Sequence, residues 1–463
     1  MKLFTSIWSK PVALCLSVTG LACLTSQATA ASAAGSLRAG AAKVEYAAAP
    51  APRYDHERLY VRAIVIDNGA TRGALIGMDI GNMSGGIWEA AAPKIAAELN
   101  APVENIIMSA THTHSAAGRS PSGESTQPNA EQIANHMLDA VRQASARLQP
   151  ARMGYGTGMS YLNVNRDAIN PATHLWTQAP NLAAPSDKTV AVLKFETAAG
   201  QPIAAYVNYA MHPVNGYLSG LVSGDFAGAM SRYVEQAYDD RMIAVFTQGA
   251  SGDQNPLYLR ASTNVMAAKS GTPITGNVLV REDVESKLRG TDFKQLTPDP
   301  KVVDRLARWI ESQGAILGEE VIRVMTNTTR MSSEARIAGA QKVASCPGRD
   351  RTDRGREGMM GTYKDGEPAN IRMGVLGIGD VALTTVNAEV YNPIAQRTKL
   401  QSPMANTMMV TIANGRSNTG YIPDDASFSH NTFQVLGSRL KIGCAEAAIA
   451  NGLTEMISQY NKQ

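Results

Sequence analysis

Several common catalytic signatures are missing from this sequence: it has no GxSxG elbow, no HExxH pair, no P-loop and no GxGxxG fingerprint after a strand. Their absence removes the sequence support for an elbow-type serine hydrolase, a zincin and a nucleotide- or dinucleotide-dependent enzyme. Charge of one sign is lacking too. The formal net charge is only +3 over 463 residues, and Lys2 and Lys10 lie in a segment read below as removable, so no nucleic-acid partner is indicated. Cysteine is scarce, with 4 in the chain and no CxxC, which argues against a thiolate metal site. Past the N-terminal segment no run is long and apolar enough to span a bilayer, and no fixed-period repeat is visible.

What is present begins with MKLFTSIWSKPVALCLSVTGLACLTSQATAASA: a basic start, an apolar run from Pro11 to Leu24, and small residues in an AxA arrangement at 28–30. That pattern reads as a signal peptide over residues 1–30, and the apolar run falls short of the roughly 20 residues a membrane anchor needs. The protein is therefore expected to be secreted or periplasmic. Export removes Cys15 and Cys23 and leaves Cys346 and Cys444, for which a disulfide and two unpaired buried thiols both stand as readings.

A composition 44% hydrophobic supports a sizeable core. Apolar, β-branched runs such as 59–67, 74–80, 105–114, 189–196, 202–212, 242–249, 371–378, 381–389 and 407–414 alternate with helical stretches at 87–99, 129–148, after Asp225, 302–325 and near the C-terminus. The expected fold class is α/β, a mixed β-sheet core with flanking helices. Residues 115–129 and the charged, glycine-rich 347–370 read as surface loops, the latter as an insertion in a single catalytic domain over 31–463.

Histidine is rare, with 7 in the chain, yet His112, His114 and His212 all fall at the C-terminal ends of expected strands, where open α/β sheets bind ligands. In SATHTHSAAG, alternation along a strand would aim His112 and His114 to one face, as metal ligand and proton shuttle or merely as polar strand-end residues. Asp225 in SGDFAG either orients a metal-bound histidine or caps the following helix. Glu389 in TVNAEVYN and Tyr421 in NTGYIPDD follow apolar strands and complete a candidate set of oxygen and nitrogen donors.

These motifs, AGAAKVEY, ATHTHSAAG, LNVNRD, NYAMHP, LVSGDFAG, FTQGASGDQNP, NAEVYN and TGYIPDD, stand in an order that resembles the neutral (non-lysosomal) ceramidases and their bacterial relatives. The resemblance implies one zinc ion per chain, held by His112, His212, Glu389 and Tyr421 at the C-terminal ends of strands. It implies a catalytic His114 near the substrate amide and an Arg166 lining the site. Two departures stand out. Where ceramidases carry a serine in GDVSP this chain has Asn255 in GDQNP, a hydrogen-bond donor to an oxyanion but no nucleophile. The chain also ends some forty residues past Tyr421, so no C-terminal β-sandwich domain is expected. The resulting expectation is an exported zinc amidohydrolase that cleaves an N-acyl amide, small or lipid-like, by metal-activated water. Hydrolysis of an ester or other acyl substrate, and a non-catalytic binding protein on the same fold, are the alternatives.

Overall fold

The computed structural model describes residues 34–47, 54, 56–116, 127–217, 219–259, 261–262, 264–265, 267, 300–353, 355 and 357–462. The leader at 1–30, the stretch 117–126 of the expected loop, and the span 271–290 lie outside the described residues. Contacts group Ser32–Gln463 into one unit.

Three sheets organise it. The first holds β1 (Arg38–Glu45), β2 (Tyr60–Asp67), β3 (Arg72–Met78) and β4 (Ile106–Ala110), with α1 (Gly85–Leu99) crossing from β3 to the parallel β4 and α2 (Ala130–Ala146) following. The second holds β5 (Arg152–Met159), β8 (Thr189–Glu196), β9 (Pro202–Tyr209) and β10 (Ile243–Gln248); between β5 and β8 run β6 (Asn163–Ile169) and β7 (Trp176–Asn181). Here α3 (Asp225–Ala237) crosses from β9 to the parallel β10, and a short β11 (Gln254–Pro256) returns to pair with β6. After α4 (Pro300–Asn327), the third sheet holds β12 (Ile337–Arg351), β13 (Tyr363–Ile378), β14 (Val381–Val386) and β16 (Asn406–Thr411). Between β14 and the parallel β16 lie β15 (Glu389–Val390) and the crossing helix α5 (Asn392–Gln401); β17 (Tyr421–Ile422), α6 (Phe433–Gly437) and α7 (Ala445–Lys462) complete the chain.

Each sheet buries both faces. Ile64, Ile66, Leu75 and Ile107 meet Leu193, Tyr206 and Val245 and also Leu376, Leu383 and Val410 in one cluster shared by the three sheets. The outer faces are covered by α1 and α2, by α3 and α4, and by α5 and α7. Full burial of such a side chain is worth about 1.5–3 kcal/mol, and burial on both faces is why these strands read as unbroken apolar runs. The helices start where their sequences direct: Ser84 Oγ accepts from Ile87 N, and Asn129 and Gln132 form a reciprocal capping box.

Two expectations change. The span 347–370 is mostly strand, because β12 and β13 pair from Ile337↔Ile378 out to Arg351↔Tyr363 as one long hairpin with a bulge between Cys346 and Gly348. Its tip is solvated on both faces, so no apolar alternation marks it. The strand carrying THTH stops at Ala110, short of both histidines. Cys346 on β12 and Cys444 ahead of α7 form a disulfide with Cα atoms 5.7 Å apart, so the paired reading of these cysteines holds.

Candidate metal centre

Each crossover leaves donors just past a parallel strand. His112 and His114 follow β4, His212 follows β9, and Glu389 and Tyr421 follow β14 and β16. Glu389 opens β15 rather than ending the preceding strand, and it is the direct register partner of Tyr421 across the parallel pair β15/β17. Backbone bonds stitch the three strand ends together: His114 N donates to Pro213 O at 3.1 Å, Asn414 N to Met108 O at 2.8 Å, and Gly252 N to Val390 O at 2.8 Å.

His112 reaches the cluster by leaving the strand in the left-handed region, with φ 69°. Its N–H donates to Ile80 O at 3.0 Å. The pairing of its ring with that of His114 thus comes from a turn, where sequence alternation would have assigned it to strand geometry. Ile412 (φ 52°), Asn414 (φ 56°) and Asp225 (φ 55°) share that backbone region beside the same strand ends. For the β-branched Ile412 it is strained, by about 1–3 kcal/mol.

Four donor atoms converge. His112 Nε2 lies 3.2 Å from His212 Nε2 and 3.3 Å from His114 Nε2. Glu389 Oε2 lies 3.2 Å from His212 Nε2 and 3.3 Å from His112 Nε2. His212 Nδ1 donates to Ser251 O at 2.8 Å, and His112 Nδ1 donates to Gly81 O. With Nδ1 the protonated nitrogen on both rings, each Nε2 is a bare acceptor turned toward the other and toward a carboxylate. Acceptors at this spacing repel unless a cation sits among them, and about 3.3 Å is the edge of a tetrahedron with zinc–ligand distances near 2.0–2.1 Å. A proton is a poor occupant, since burial, with the Arg166 charge adding to it, pushes His212 down to about 3. Burial works against the Glu389 carboxylate, and only positive charge at the His112 and His212 nitrogens, the place a cation would take, holds it well below the usual carboxylate range. The donor set therefore fits a divalent ion such as zinc, and Tyr421, in hydrogen-bonding contact with Glu389 and Arg166, borders it. Burial and the neighbouring Glu389 charge raise the Tyr421 hydroxyl above its ordinary value.

His112 and His212 are 2% and 1% exposed, whereas the exposed His114 faces a cavity of about 900 Å³. Arg166, His212, Tyr217, Tyr421 and Phe433 also line it. Arg166 is buried, lies 5.4 Å from the Tyr421 ring centroid and 5.3 Å from that of Phe433, and donates through Nε to Gly252 O at 3.1 Å. Asn255 sits behind it, its Oδ1 accepting from Arg166 Nη1 at 3.1 Å, and is not part of the cavity wall. Asp225 neither orients a histidine nor caps α3 in the usual way. It is the first residue of that helix, and its carboxylate accepts from Asn215 Nδ2 at 2.7 Å and Gly216 N at 2.9 Å, pinning the loop after His212. The carbonyls of Gly81, Ser251 and Gln254 that orient the rings carry no side-chain signal in sequence. The arginines of PGRDR, which form another cavity wall, were legible only as a charged run.

Residues 55–273 match the family described as neutral/alkaline non-lysosomal ceramidase, N-terminal. Over these residues, a little under half of its length, the chain is similar to that family. The neutral ceramidase segment contains His112, His114, Arg166, His212 and Asn255, while Glu389 and Tyr421 lie beyond it. Neutral ceramidase B of Dictyostelium discoideum is 28% identical over 194 residues, 36% of this chain and 25% of that protein. The neutral ceramidase of Pseudomonas aeruginosa is 28% identical over 224 residues, 43% of this chain and 32% of that protein. These matches thus span a quarter to a third of the curated relatives' length. Among solved structures, one titled as ceramidase complexed with C2 superposes with TM-score 0.65 at 15% identity, covering 92% of this chain and 76% of that one. The neutral ceramidase from Pseudomonas aeruginosa gives 0.64 at 15% identity, covering 92% and 75%. The mixed-sheet fold with flanking helices is therefore that of a neutral ceramidase.

Proposed function

We propose that this protein is a zinc-dependent amidohydrolase that cleaves an N-acyl amide in the cavity above His112, His212 and Glu389. The observation that carries the reading is the convergence of three bare acceptors at 3.2–3.3 Å, the outer nitrogens of the two rings fixed by backbone carbonyls, beside a cavity and an exposed histidine. The match of residues 55–273 to the neutral ceramidase family supports amide chemistry. His112, His212, Glu389 and Tyr421 would hold one zinc ion per chain. When bound, zinc supplies Lewis acidity and lowers the pKa of a coordinated water to about 7.

The residues of this chain do the rest. His114, on the cavity side of the cluster, takes and returns the proton that the departing amine needs, a role worth roughly 100- to 10,000-fold. Arg166 places a fixed positive charge behind the Tyr421 ring, and Asn255 holds the guanidinium in that position. Val214, Tyr217 and Phe433 give the cavity apolar walls against which an acyl chain excludes water. Among the described residues no helix is long and apolar enough to cross a membrane. The Cys346–Cys444 bridge, together with the leader-like opening, supports an exported protein.

The test is a screen of the zinc-loaded protein against N-acyl amides, the matching esters and short peptides, with a chelator control. Chelator-sensitive amide cleavage is expected. Turnover of esters alone would shift the reaction to a different acyl bond, and retained zinc with no turnover on any class would leave a binding protein.

A further inference from the structure

The wall of the cavity formed by β12 and the chain around α6 is cationic. Arg166, Arg349, Arg351 and Arg439 line the cavity against two carboxylates, Asp350 and Glu357. Most of these charges are already answered: Arg351 pairs with Asp353 at 2.7 Å, Arg439 pairs with Asp350 at 3.0 Å, and Glu357 accepts from Phe433 N at 3.2 Å. Arg349 differs. It is half-buried, and among the described residues no carboxylate lies within ion-pair distance of it. Its Nε donates to Ser438 O at 3.1 Å and one Nη to Val435 O at 2.7 Å, while its guanidinium carbon lies 3.9 Å from the centroid of the Tyr363 ring. All these partners are neutral, and the second Nη remains for the cavity. A partly desolvated guanidinium without a counter-ion is a cost to the folded protein that an incoming anion removes.

We infer that the cavity takes an acyl amide carrying an anionic group, a carboxylate or a phosphate, and that Arg349 recognises that group. The inference rests on the amidohydrolase reading above and names its substrate class. The geometry is preorganised. Two carbonyls and an aromatic face hold the guanidinium, so few rotamers are lost when it binds. The hairpin beneath it is tied down by the Cys346–Cys444 bridge and by Arg349 N donating to Arg439 O at 2.7 Å. Beside His114, Val214 and Tyr217 offer apolar surface of the opposite character. A ligand suited to both walls has an apolar acyl chain and an anion, with the scissile amide between them facing His114.

The experiment compares N-lauroylglycine and phosphorylated N-lauroylethanolamine with neutral N-lauroylethanolamine as substrates of the zinc-loaded protein. In parallel, calorimetry measures binding of 4-oxopentadecanoic acid, in which a methylene replaces the amide nitrogen of N-lauroylglycine, and of its neutral primary amide. The wild type is expected to prefer the anionic member of each comparison by about tenfold to a hundredfold, the range for a hydrogen bond to a charged group. Arg349→Met should abolish that preference by weakening the keto acid far more than the neutral ketone, and Arg349→Lys should restore part of it. The ratio of carboxylate to phosphate turnover identifies which anion the site serves. Equal handling of anionic and neutral ligands by the wild type overturns the inference and leaves the hydrolase standing. Equal loss of both ketones in Arg349→Met also overturns it, by showing that Arg349 only shapes the wall. Arg349-dependent binding of the keto acid without hydrolysis of any amide would sustain the anion site and refute the amidohydrolase.

Discussion

A nitrogen that has given its lone pair direction by donating from the other side of its ring is a sensitive point, and His212 and His112 both present one. Glu389→Gln keeps the shape of the side chain but removes the charge. It is expected to weaken zinc binding by more than the roughly 10- to 100-fold that losing an outer-shell partner costs, read by competition with a chromophoric chelator. His114→Ala should keep zinc and lose turnover, and zinc loss equal to that of His112→Ala would make His114 a ligand. Asn255→Ala should lower kcat/KM less than Arg166→Ala does, because Asn255 acts on substrate only through the guanidinium it holds. Glu57, away from this site, gives a pH prediction. Burial raises its carboxyl from 4.5 to about 7, with the Arg232 charge opposing. Because the folded value lies above the unfolded one, the protonated form stabilises fully below about pH 4.5 and that stability is lost as pH rises to about 7. Glu57→Gln should therefore gain on the wild type across that window, by up to about 3 kcal/mol in urea unfolding, and parallel pH profiles would remove the assignment. At this scale the sequence singled out candidate residues but not what they touch. THTH stood out through the rarity of histidine, whereas the link from Asn255 to Arg166 crosses 89 positions with no pattern between them.

Among the elements, the strands of the parallel crossovers were legible because a strand buried on both faces leaves an unbroken apolar run, as in 74–80 and 242–249. Strand β5, RMGYGTGM, was not. Its Gly154, Gly156 and Gly158 break the β pattern, and they are required there because a Cβ at each would approach Met331, Thr328 or Glu320 to within 2.4 Å. The outer half of the β12–β13 hairpin was hidden for the opposite reason, since a solvated ribbon alternates nothing against a core. Its disulfide closes a loop of 98 residues, for which the chain-entropy model gives about 4–5 kcal/mol. The double substitution Cys346→Ser with Cys444→Ser should lower unfolding stability toward that amount while leaving zinc content intact, because no candidate ligand sits on either strand of the hairpin. Zinc loss in the disulfide-free protein would show that the hairpin supports the metal site after all.

In the whole molecule, three sheets meet at one cluster of side chains, so an ion bound at their strand ends would be thermodynamically linked to the fold. Zinc at a hundredfold its Kd should raise stability by about 2.7 kcal/mol, and chelation should lower the melting temperature accordingly, without altering the melting of Glu389→Gln. The fold class could be read from alternating runs. The meeting of the sheets could not, since it is fixed by contacts such as Asn208 Nδ2 to Met409 O, 201 positions apart. That spacing also imposes an order in time. His112 and His212 are separated by 100 residues, and His212 and Glu389 by 177 more. A chain made from its N-terminus carries His112 and His212 long before the carboxylate between them exists, and the third sheet must dock before the last donors arrive. Under the proposed ligation, zinc capture would be the closing event of biogenesis, and a chain that holds an ion would already have passed its own inspection.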